Sequence, residues 1–223
     1  MNPPTKKDAR IAGAWYLSLL LFGPLSLIYV PNKVIVRGNA AATAQSVLAH
    51  ESIFRLAIAA ELLGTVAFMF VAFALYRLLS SVNKDHAGLM VVFALMSVPL
   101  SFVGAGFNYG ALKIFQGGEP AALGMLLVQL RSHMILVNEM FWGLWLLPLA
   151  ALIIRSRFLP RWLGVWVLLA GFGWIAECLT PILIPDYVTV INRITSITSL
   201  GELALILWLV IMGIKVKPAV AAE

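Results

Sequence analysis

Long apolar runs separated by short polar segments dominate the chain. They are near or above the length of about 20 residues that a helix needs to cross the hydrocarbon of a bilayer. Six such runs occur, at about Ile11–Val30, Ile53–Tyr76, Gly88–Ala111, His133–Ile154, Trp162–Ile184 and Ile194–Ile214. This pattern predicts an all-α fold: an integral membrane bundle of six transmembrane helices, in a single domain over residues 1–223.

Two of the connecting segments are predicted to extend helices beyond the membrane. Residues 39–52 are rich in Ala, and Glu51 precedes Arg55 by four residues, which is a favourable helical pair. Residues 120–132 follow a break at Gly117 and Gly118 and resemble a helix start. Together the two extensions would cap one face of the bundle. The alternative is that both helices are simply longer than the bilayer is thick and therefore tilt.

The composition supports a membrane location and excludes nucleic-acid binding. The chain is 61% hydrophobic and 12% charged, which is more apolar surface than one soluble core of this length can bury. The formal net charge of +6 comes from Lys and Arg in short loops, not from a clustered basic face with stacking aromatics. The single cysteine, Cys178, excludes an intrachain disulfide and a multi-cysteine metal site.

Positively charged residues predict the orientation, because Lys and Arg are enriched in cytoplasmic loops. With a cytoplasmic N-terminus, the outer segments hold only Lys33, Arg37, Lys113, Arg131 and Arg193. The inner segments then hold Lys6, Lys7, Arg10, Arg77, Lys84, Arg155, Arg157, Arg161, Lys215 and Lys217. This excess predicts that both termini are cytoplasmic.

Four glutamates interrupt the apolar runs, each on a different predicted helix: Glu61, Glu139, Glu177 and Glu202. A charged side chain within a span costs roughly 2.5 to 3.5 kcal/mol on insertion scales, so it normally faces the bundle interior and marks a site. In the predicted topology all four lie roughly 9 to 12 Å below the outer helix ends. We expect them to point into a common space and at least one to keep a proton, because crowded carboxylates in a low dielectric cannot all ionise.

Other polar residues near this level are further candidates for binding a ligand or ion. Asn108 lies at a similar depth, and Arg55 and His133 lie at or above it. Arg55 is taken as the basic residue within a span, so it needs an acidic partner, either Glu51 one turn away or a glutamate of another helix.

Two polar stripes and one histidine are further candidates for the site. Ser97, Ser101, Gly104 and Asn108 follow helical spacing, as do Thr195, Thr198, Ser199 and Glu202, which indicates inward polar faces. His133 with carboxylates would suit a metal ion, but the close ligand spacing of metal sites in helical bundles is missing. We therefore predict neither a metal nor a cofactor.

Short motifs in a fixed order carry a family resemblance. They are Ala9-Arg10-Ile11-Ala12-Gly13, Phe54-Arg55-Leu56, Phe158-Leu159-Pro160-Arg161 continuing through Leu163-Gly164 to Ala170-Gly171, and Gly201-Glu202-Leu203. Over about Ala9–Gly213 the chain resembles the bacterial membrane-protein family called domain of unknown function 4386. The resemblance implies six transmembrane helices in a bacterial inner membrane and no established activity. Trp145 stands where family members often carry His, and Glu177 where they often carry Asp, so a role that needs that imidazole does not carry over.

Three classes of function fit these observations. The leading hypothesis is a binding or transport-like role, in which the carboxylates hold a proton, a cation or a cationic lipophilic molecule, with membrane lipid as the other partner. The second is an intramembrane enzyme that acts on an isoprenoid, sterol-like or other lipid, with glutamates as general acid and base. The third is a non-catalytic assembly or sensory partner. An enzyme predicts a closed cavity with converging carboxylates, a transporter predicts water paths to both faces, and an assembly protein predicts no cavity.

Overall fold

The computed structural model describes residues 4–214, and over this range the chain is helical without strands. The helices are α1 Lys6–Val34, α2 Ala40–Ala49, α3 Glu51–Leu79, α4 Lys84–Gly117, α5 Ala121–Arg155, α6 Arg161–Leu183 and α7 Pro185–Met212. All except α2 are long and apolar enough to cross a membrane. The predicted all-α fold with six spans is therefore confirmed. Lys215 and Lys217, which the orientation argument used, lie outside the described residues.

Local capping chemistry sets where several helices begin and end. Thr5 and Asp8 form a reciprocal capping box at the start of α1. The Asn39 side chain accepts from Ala42 N at 2.9 Å at the start of α2, and the Asn83 side chain accepts from His86 N at 2.8 Å at the start of α4. Helix α4 ends at Gly117, and the next residue, Gly118, has a φ of 75°, a left-handed conformation that favours glycine.

The six spanning helices form a closed ring. Each packs against its neighbours along the chain, in the order α1, α3, α4, α5, α6 and α7, and α7 returns to pack against α1. Glycines allow this close approach: a Cβ on Gly143 of α5 would lie 2.6 Å from the Gly171 carbonyl of α6, and one on Gly13 of α1 would lie 2.8 Å from Val210 N of α7. The short helix α2 packs mainly against α5 and α4.

Two separate apolar clusters fill the ring. The larger cluster lies toward the end of the bundle where α1 begins, called here the N-terminal end, and includes Leu75, Trp145 and Leu205. The smaller lies toward the opposite end, called the α2 end, and includes Val47, Phe54 and Phe115. A cavity borders the larger cluster, because Tyr16 and Trp145 belong to that cluster and also line the cavity.

The two predicted extensions correspond to helical structure at the α2 end. Residues 39–52 contain α2 and the start of α3, with a change of direction at His50 (φ −118°, ψ 33°). Helix α5 begins at Ala121, well before the apolar run that starts at His133. Whether these segments lie outside the bilayer stays a prediction.

Candidate functional site

A cavity of about 200 Å³ lies inside the ring and is lined by residues of all six spanning helices. This is far larger than the roughly 10 to 15 Å³ that one water molecule needs. Most of the lining is apolar, and the polar side chains in it are Tyr16, Ser26, Glu61, Thr65, Ser101, Asn138 and Glu202, with the indoles of Trp142, Trp145 and Trp174. A cavity of this size, mostly apolar with a few polar groups, is a candidate ligand site.

Glu202 of α7 occupies one part of the cavity and is held by two neutral donors. The Tyr16 hydroxyl donates to Oε2 at 2.5 Å, and the Trp174 indole N–H donates to Oε1 at 2.8 Å. An indole nitrogen is only a donor, so Oε1 acts as an acceptor. The backbone is irregular just before this residue, because Glu202 N bonds to Ser199 O, three residues back.

Five aromatic side chains line the cavity together with Glu202, and we call Tyr16, Phe68, Trp142, Trp145 and Trp174 the aromatic cluster. Trp142 meets Trp174 edge to face at 5.5 Å between ring centroids, and Phe68 meets Trp145 in the same way at 5.0 Å. Ring faces carry a negative potential, which attracts cations. A carboxylate among such rings is therefore a favourable environment for a positively charged group.

A buried ion pair lies on the other side of the cavity, toward the α2 end. Arg131 of α5 donates to Glu61 Oε2 of α3 from Nε at 3.2 Å and from Nη2 at 3.1 Å. The two side chains are only 4% and 9% exposed. The positive charge that Glu61 requires is thus supplied by the protein itself.

The same guanidinium also bonds to a main-chain oxygen of α1, with Arg131 Nη2 3.1 Å from Ser26 O. Residues Pro24–Tyr29 form a π-helical segment, in which Val30 N bonds to Leu25 O, five residues back. The nitrogen five residues after Ser26 belongs to Pro31 and carries no hydrogen. The α-helical donor for Ser26 O would be Val30 N, which bonds to Leu25 O instead, and the π-helical donor would be Pro31 N, which has no hydrogen. The Ser26 carbonyl therefore accepts from Arg131.

Asn138 lies between these two regions along α5 and is 2% exposed. Its Nδ2 donates to Ser101 Oγ at 2.9 Å, and the Ser101 hydroxyl donates to Ser97 O at 3.2 Å. The Ser101 hydroxyl hydrogen is already donated to Ser97 O, so this hydroxyl can only accept from Asn138. The group that faces Ser101 must therefore be the amide Nδ2 and not Oδ1. Asn138 Oδ1 is buried and has no hydrogen-bond partner within residues 4–214. Such an atom is rare in a folded protein and calls for an explanation.

The four glutamates of the sequence analysis divide into two pairs. Glu61 and Glu202 line the cavity, whereas Glu139 and Glu177 are not among its lining residues in the described chain. Glu139 of α5 and Glu177 of α6 lie within electrostatic reach of each other, and Glu139 Oε2 is a second buried oxygen without a partner in residues 4–214. The expectation that all four side chains point into one common space therefore holds only for Glu61 and Glu202.

The remaining candidates lie away from the cavity. The interpretation of Arg55 as the basic residue within a span was wrong, whereas its expected pairing with Glu51 is present. Arg55 pairs with Glu51 at 2.6 Å and its side chain is 46% exposed, so it is a surface residue with a local partner. The buried base is Arg131, which the charge pattern assigned to a connecting segment. His133 is exposed, and Asn108 is buried in α4 but is not part of the cavity lining.

The sequence holds a signal that would have identified Arg131. Arg131, Ile135, Asn138, Trp142 and Trp145 follow three- and four-residue spacing on α5, so they share one helix face. The predicted span began at His133 and excluded this residue. Tyr16 and Trp174, which donate to Glu202, carry no comparable signal. Their contact with Glu202 depends on which helices are neighbours in the bundle.

Comparisons with known proteins give a family but no activity. The model of the family described as Domain of unknown function (DUF4386) matches residues 11–213. An uncharacterized protein of the archaeon Archaeoglobus fulgidus is 28% identical over 152 residues, which are 68% of this chain and 80% of that protein. No solved structure matches the chain.

Proposed function

The chain belongs to the family described as Domain of unknown function (DUF4386), and on that premise we propose that it is an intramembrane binding protein, with a binding- or transport-type role, whose central cavity takes up a lipophilic cation. The observation that carries the proposal is the placement of Glu202 among the rings of the aromatic cluster. Carboxylates and aromatic faces are the two groups with which proteins recognise organic cations.

The charge balance of the cavity supports a cationic ligand. Glu61 is matched by Arg131, whereas Glu202 accepts only from the neutral donors Tyr16 and Trp174. Glu202 forms no ion pair within the part of the chain that the structure describes. A buried carboxylate without a positive partner is costly, and a bound cation would remove that cost.

The apolar part of the lining supports a ligand that also carries hydrocarbon. Ligand sites are typically apolar with a few polar groups that set orientation, as this cavity is. Leu27, one of the lining residues, is 38% exposed on the surface of the bundle. That surface faces lipid in a membrane, which favours entry of an amphiphile from the bilayer.

The hydrogen bonds of the two cavity glutamates favour a binding role over acid–base catalysis. An enzyme of that type needs two carboxyl groups that converge on one reacting point with freedom to exchange protons. Glu61 is tied to Arg131, while Glu202 is tied to Tyr16 and Trp174 in another part of the cavity.

We propose further that the protein lies in a bacterial inner membrane with both termini in the cytoplasm. The N-terminal end of the bundle gathers the basic residues at the start of α1, the α3–α4 turn and the α5–α6 turn. These are Lys6, Lys7, Arg10, Arg77, Lys84, Arg155, Arg157 and Arg161. Such an excess marks the cytoplasmic side.

A ligand titration tests the proposal. Tryptophans of the aromatic cluster should report octyltrimethylammonium binding to the protein in nanodiscs as a saturable change in fluorescence, with neutral octanol as the comparison. Glu202→Gln should weaken binding of the cation at least about ten-fold, the loss expected for one interaction with a charged group, and leave octanol unchanged. Glu51→Gln, a change at the surface pair with Arg55, is the matched control and should bind as the wild type does. Equal affinity for the cation and octanol, or an unchanged cation affinity in Glu202→Gln, would overturn the proposal.

A further inference from the structure

Another cavity, of about 140 Å³, lies as a groove on the surface of the bundle between α1 and α3. Its lining consists of Asp8, Ile11 and Trp15 of α1 with Phe70, Phe73, Ala74 and Arg77 of α3. We infer that this groove, called here the α1–α3 groove, binds a phospholipid whose headgroup carries both a phosphate and a primary ammonium. The inference does not depend on the central cavity or on the ligand proposed for it.

The lining places an acid and a base at the same end of the groove. On each helix the lining residues follow three- and four-residue spacing and share one face. The rings of Trp15 and Phe70 stack at 4.6 Å between centroids. Asp8 precedes Trp15 by seven residues and Arg77 follows Phe70 by seven, a rise of about 10 Å on each helix. Because α1 and α3 run in opposite directions, both charged residues lie at one level, at the N-terminal end of the bundle.

The apolar part of the α1–α3 groove suits an acyl chain. Ile11, Trp15, Phe70 and Phe73 are exposed on the surface of the bundle and belong to spanning helices, so in a membrane they contact lipid. A chain that runs from the charged end to the stacked rings has about 10 Å of apolar groove to fill. The groove therefore joins a polar end to an apolar length, as an amphiphile does.

Arg77 provides a site for the phosphate. Its side chain is exposed and forms no ion pair with any residue from 4 to 214. A guanidinium keeps its proton and binds phosphate through paired N–H groups. Arg77 lies in the last turn of α3, where the basic residues of the N-terminal end gather. Basic residues at the end of a span lie at the level of the lipid headgroups.

Asp8 provides a site for the ammonium. Its Oδ2 accepts from Thr5 N at 3.0 Å and from Thr5 Oγ1 at 2.6 Å, which leaves Oδ1 without a partner in the described part of the chain. Asp8 and Arg77 are within electrostatic reach of each other but form no ion pair there. An ethanolamine headgroup, with its ammonium two carbons from its phosphate, complements both charges. A choline headgroup has no N–H to donate to Asp8, and a headgroup with only negative charge is repelled by it.

Native mass spectrometry of the full chain in detergent tests the inference. The probes are phosphatidylethanolamine, phosphatidylcholine and phosphatidylglycerol with identical oleoyl chains. In the wild type we expect the ethanolamine lipid to bind about five-fold or more tighter than each of the others. Asp8→Asn keeps an acceptor for Thr5 but removes the charge, so it should lower the affinity for the ethanolamine lipid to that for the choline lipid. Arg77→Gln should weaken both about five-fold.

Two further variants separate the groove from the basic surface as a whole. Arg155→Gln removes an exposed base at the same end of the bundle that is not a lining residue of the groove, and it should leave all three affinities unchanged. Ala74→Phe fills the groove and should weaken all three lipids, so it replaces Asp8→Asn should that variant fail to fold.

Four results would overturn the inference. They are equal binding of the ethanolamine and choline lipids in the wild type, tighter binding of the glycerol lipid, an ethanolamine preference that survives in folded Asp8→Asn, and unchanged lipid binding in folded Ala74→Phe. An equal loss in Arg77→Gln and Arg155→Gln would indicate attraction to the basic surface in general and would also overturn it.

Discussion

Two arginine–glutamate pairs show how strongly burial changes the contribution of the same interaction to stability. Arg131 and Glu61 are 4% and 9% exposed, whereas Arg55 and Glu51 are 46% and 34% exposed. Loss of one member of a buried pair leaves an uncompensated charge, which typically costs about 3 to 5 kcal/mol. A surface pair contributes little, because solvent screens it and both side chains lose freedom.

This contrast gives a prediction at Arg131. Arg131→Met should lower the free energy of unfolding by about 3 to 5 kcal/mol, because Glu61 is left buried without its partner. Adding Glu61→Leu should restore much of the loss, since both charges are then gone. Denaturation in detergent measures the effect, and Arg55→Met is the matched control with little expected change. Similar stabilities for Arg131→Met and Arg55→Met would contradict the assignment of Arg131 as the interior base.

At the scale of whole elements, glycines decide how closely neighbouring helices approach. A Cβ on Gly143 of α5 would lie 2.5 Å from Ile175 Cγ1 and 2.6 Å from Gly171 O of α6. A Cβ on Gly106 of α4 would meet nothing within 4 Å. The two positions therefore test the same substitution with and without a packed neighbour.

The prediction is that Gly143→Ala destabilises the protein by about 1 to 3 kcal/mol, the usual cost of overpacking. The backbone carbonyl of Gly171 cannot move aside as a flexible side chain would, so the helices must separate. Gly106→Ala should be neutral or slightly stabilising, because alanine is the better helix former. Thermal unfolding of both variants in one detergent checks this, and an unaffected Gly143→Ala would mean that α5 and α6 are less tightly packed than described.

The helices themselves were predictable from the sequence, but their rotation about their axes was not. Run length and hydropathy sufficed to identify six spans. The helical rise led us to expect Glu61 and Glu202 at one depth, but α7 begins at Pro185, before the predicted start at Ile194, and Glu61 lies nearer the α2 end than Glu202 does. Depth does not fix which way a side chain points, so Glu139 and Glu177 were grouped with them although they do not line the cavity. The partners of Glu202 depend on the return of α7 to α1, which no local pattern encodes. The sequence shows Pro24 and Pro31, but not that the Ser26 carbonyl accepts from Arg131 of a distant helix.

For the molecule as a whole, the orientation in the membrane determines in which leaflet the Glu61–Arg131 side of the cavity lies. Basic residues gather at the N-terminal end, and Glu61 and Arg131 lie toward the α2 end. If the N-terminal end is cytoplasmic, the ion pair lies in the outer leaflet.

Reporter fusions test this orientation. Fusions after Glu223 and within the Arg155 to Arg161 turn should both report a cytoplasmic location, because both follow an even number of spans from a cytoplasmic N-terminus. A fusion in the Val34 to Asn39 connection is the opposite control and should report outside. A periplasmic signal from the Arg155 to Arg161 turn would reverse the orientation and move the ion pair to the inner leaflet.

The central claim is that Glu202 and the aromatic cluster hold a lipophilic cation, and the most direct measurement is native mass spectrometry of the protein extracted from its own membrane. We expect the wild type and Glu51→Gln to carry an adduct that dissociates as a positively charged organic molecule. Glu202→Gln should fold and lose that adduct. A wild type that carries only phospholipid, or a Glu202→Gln variant that retains the same cation, would contradict the account.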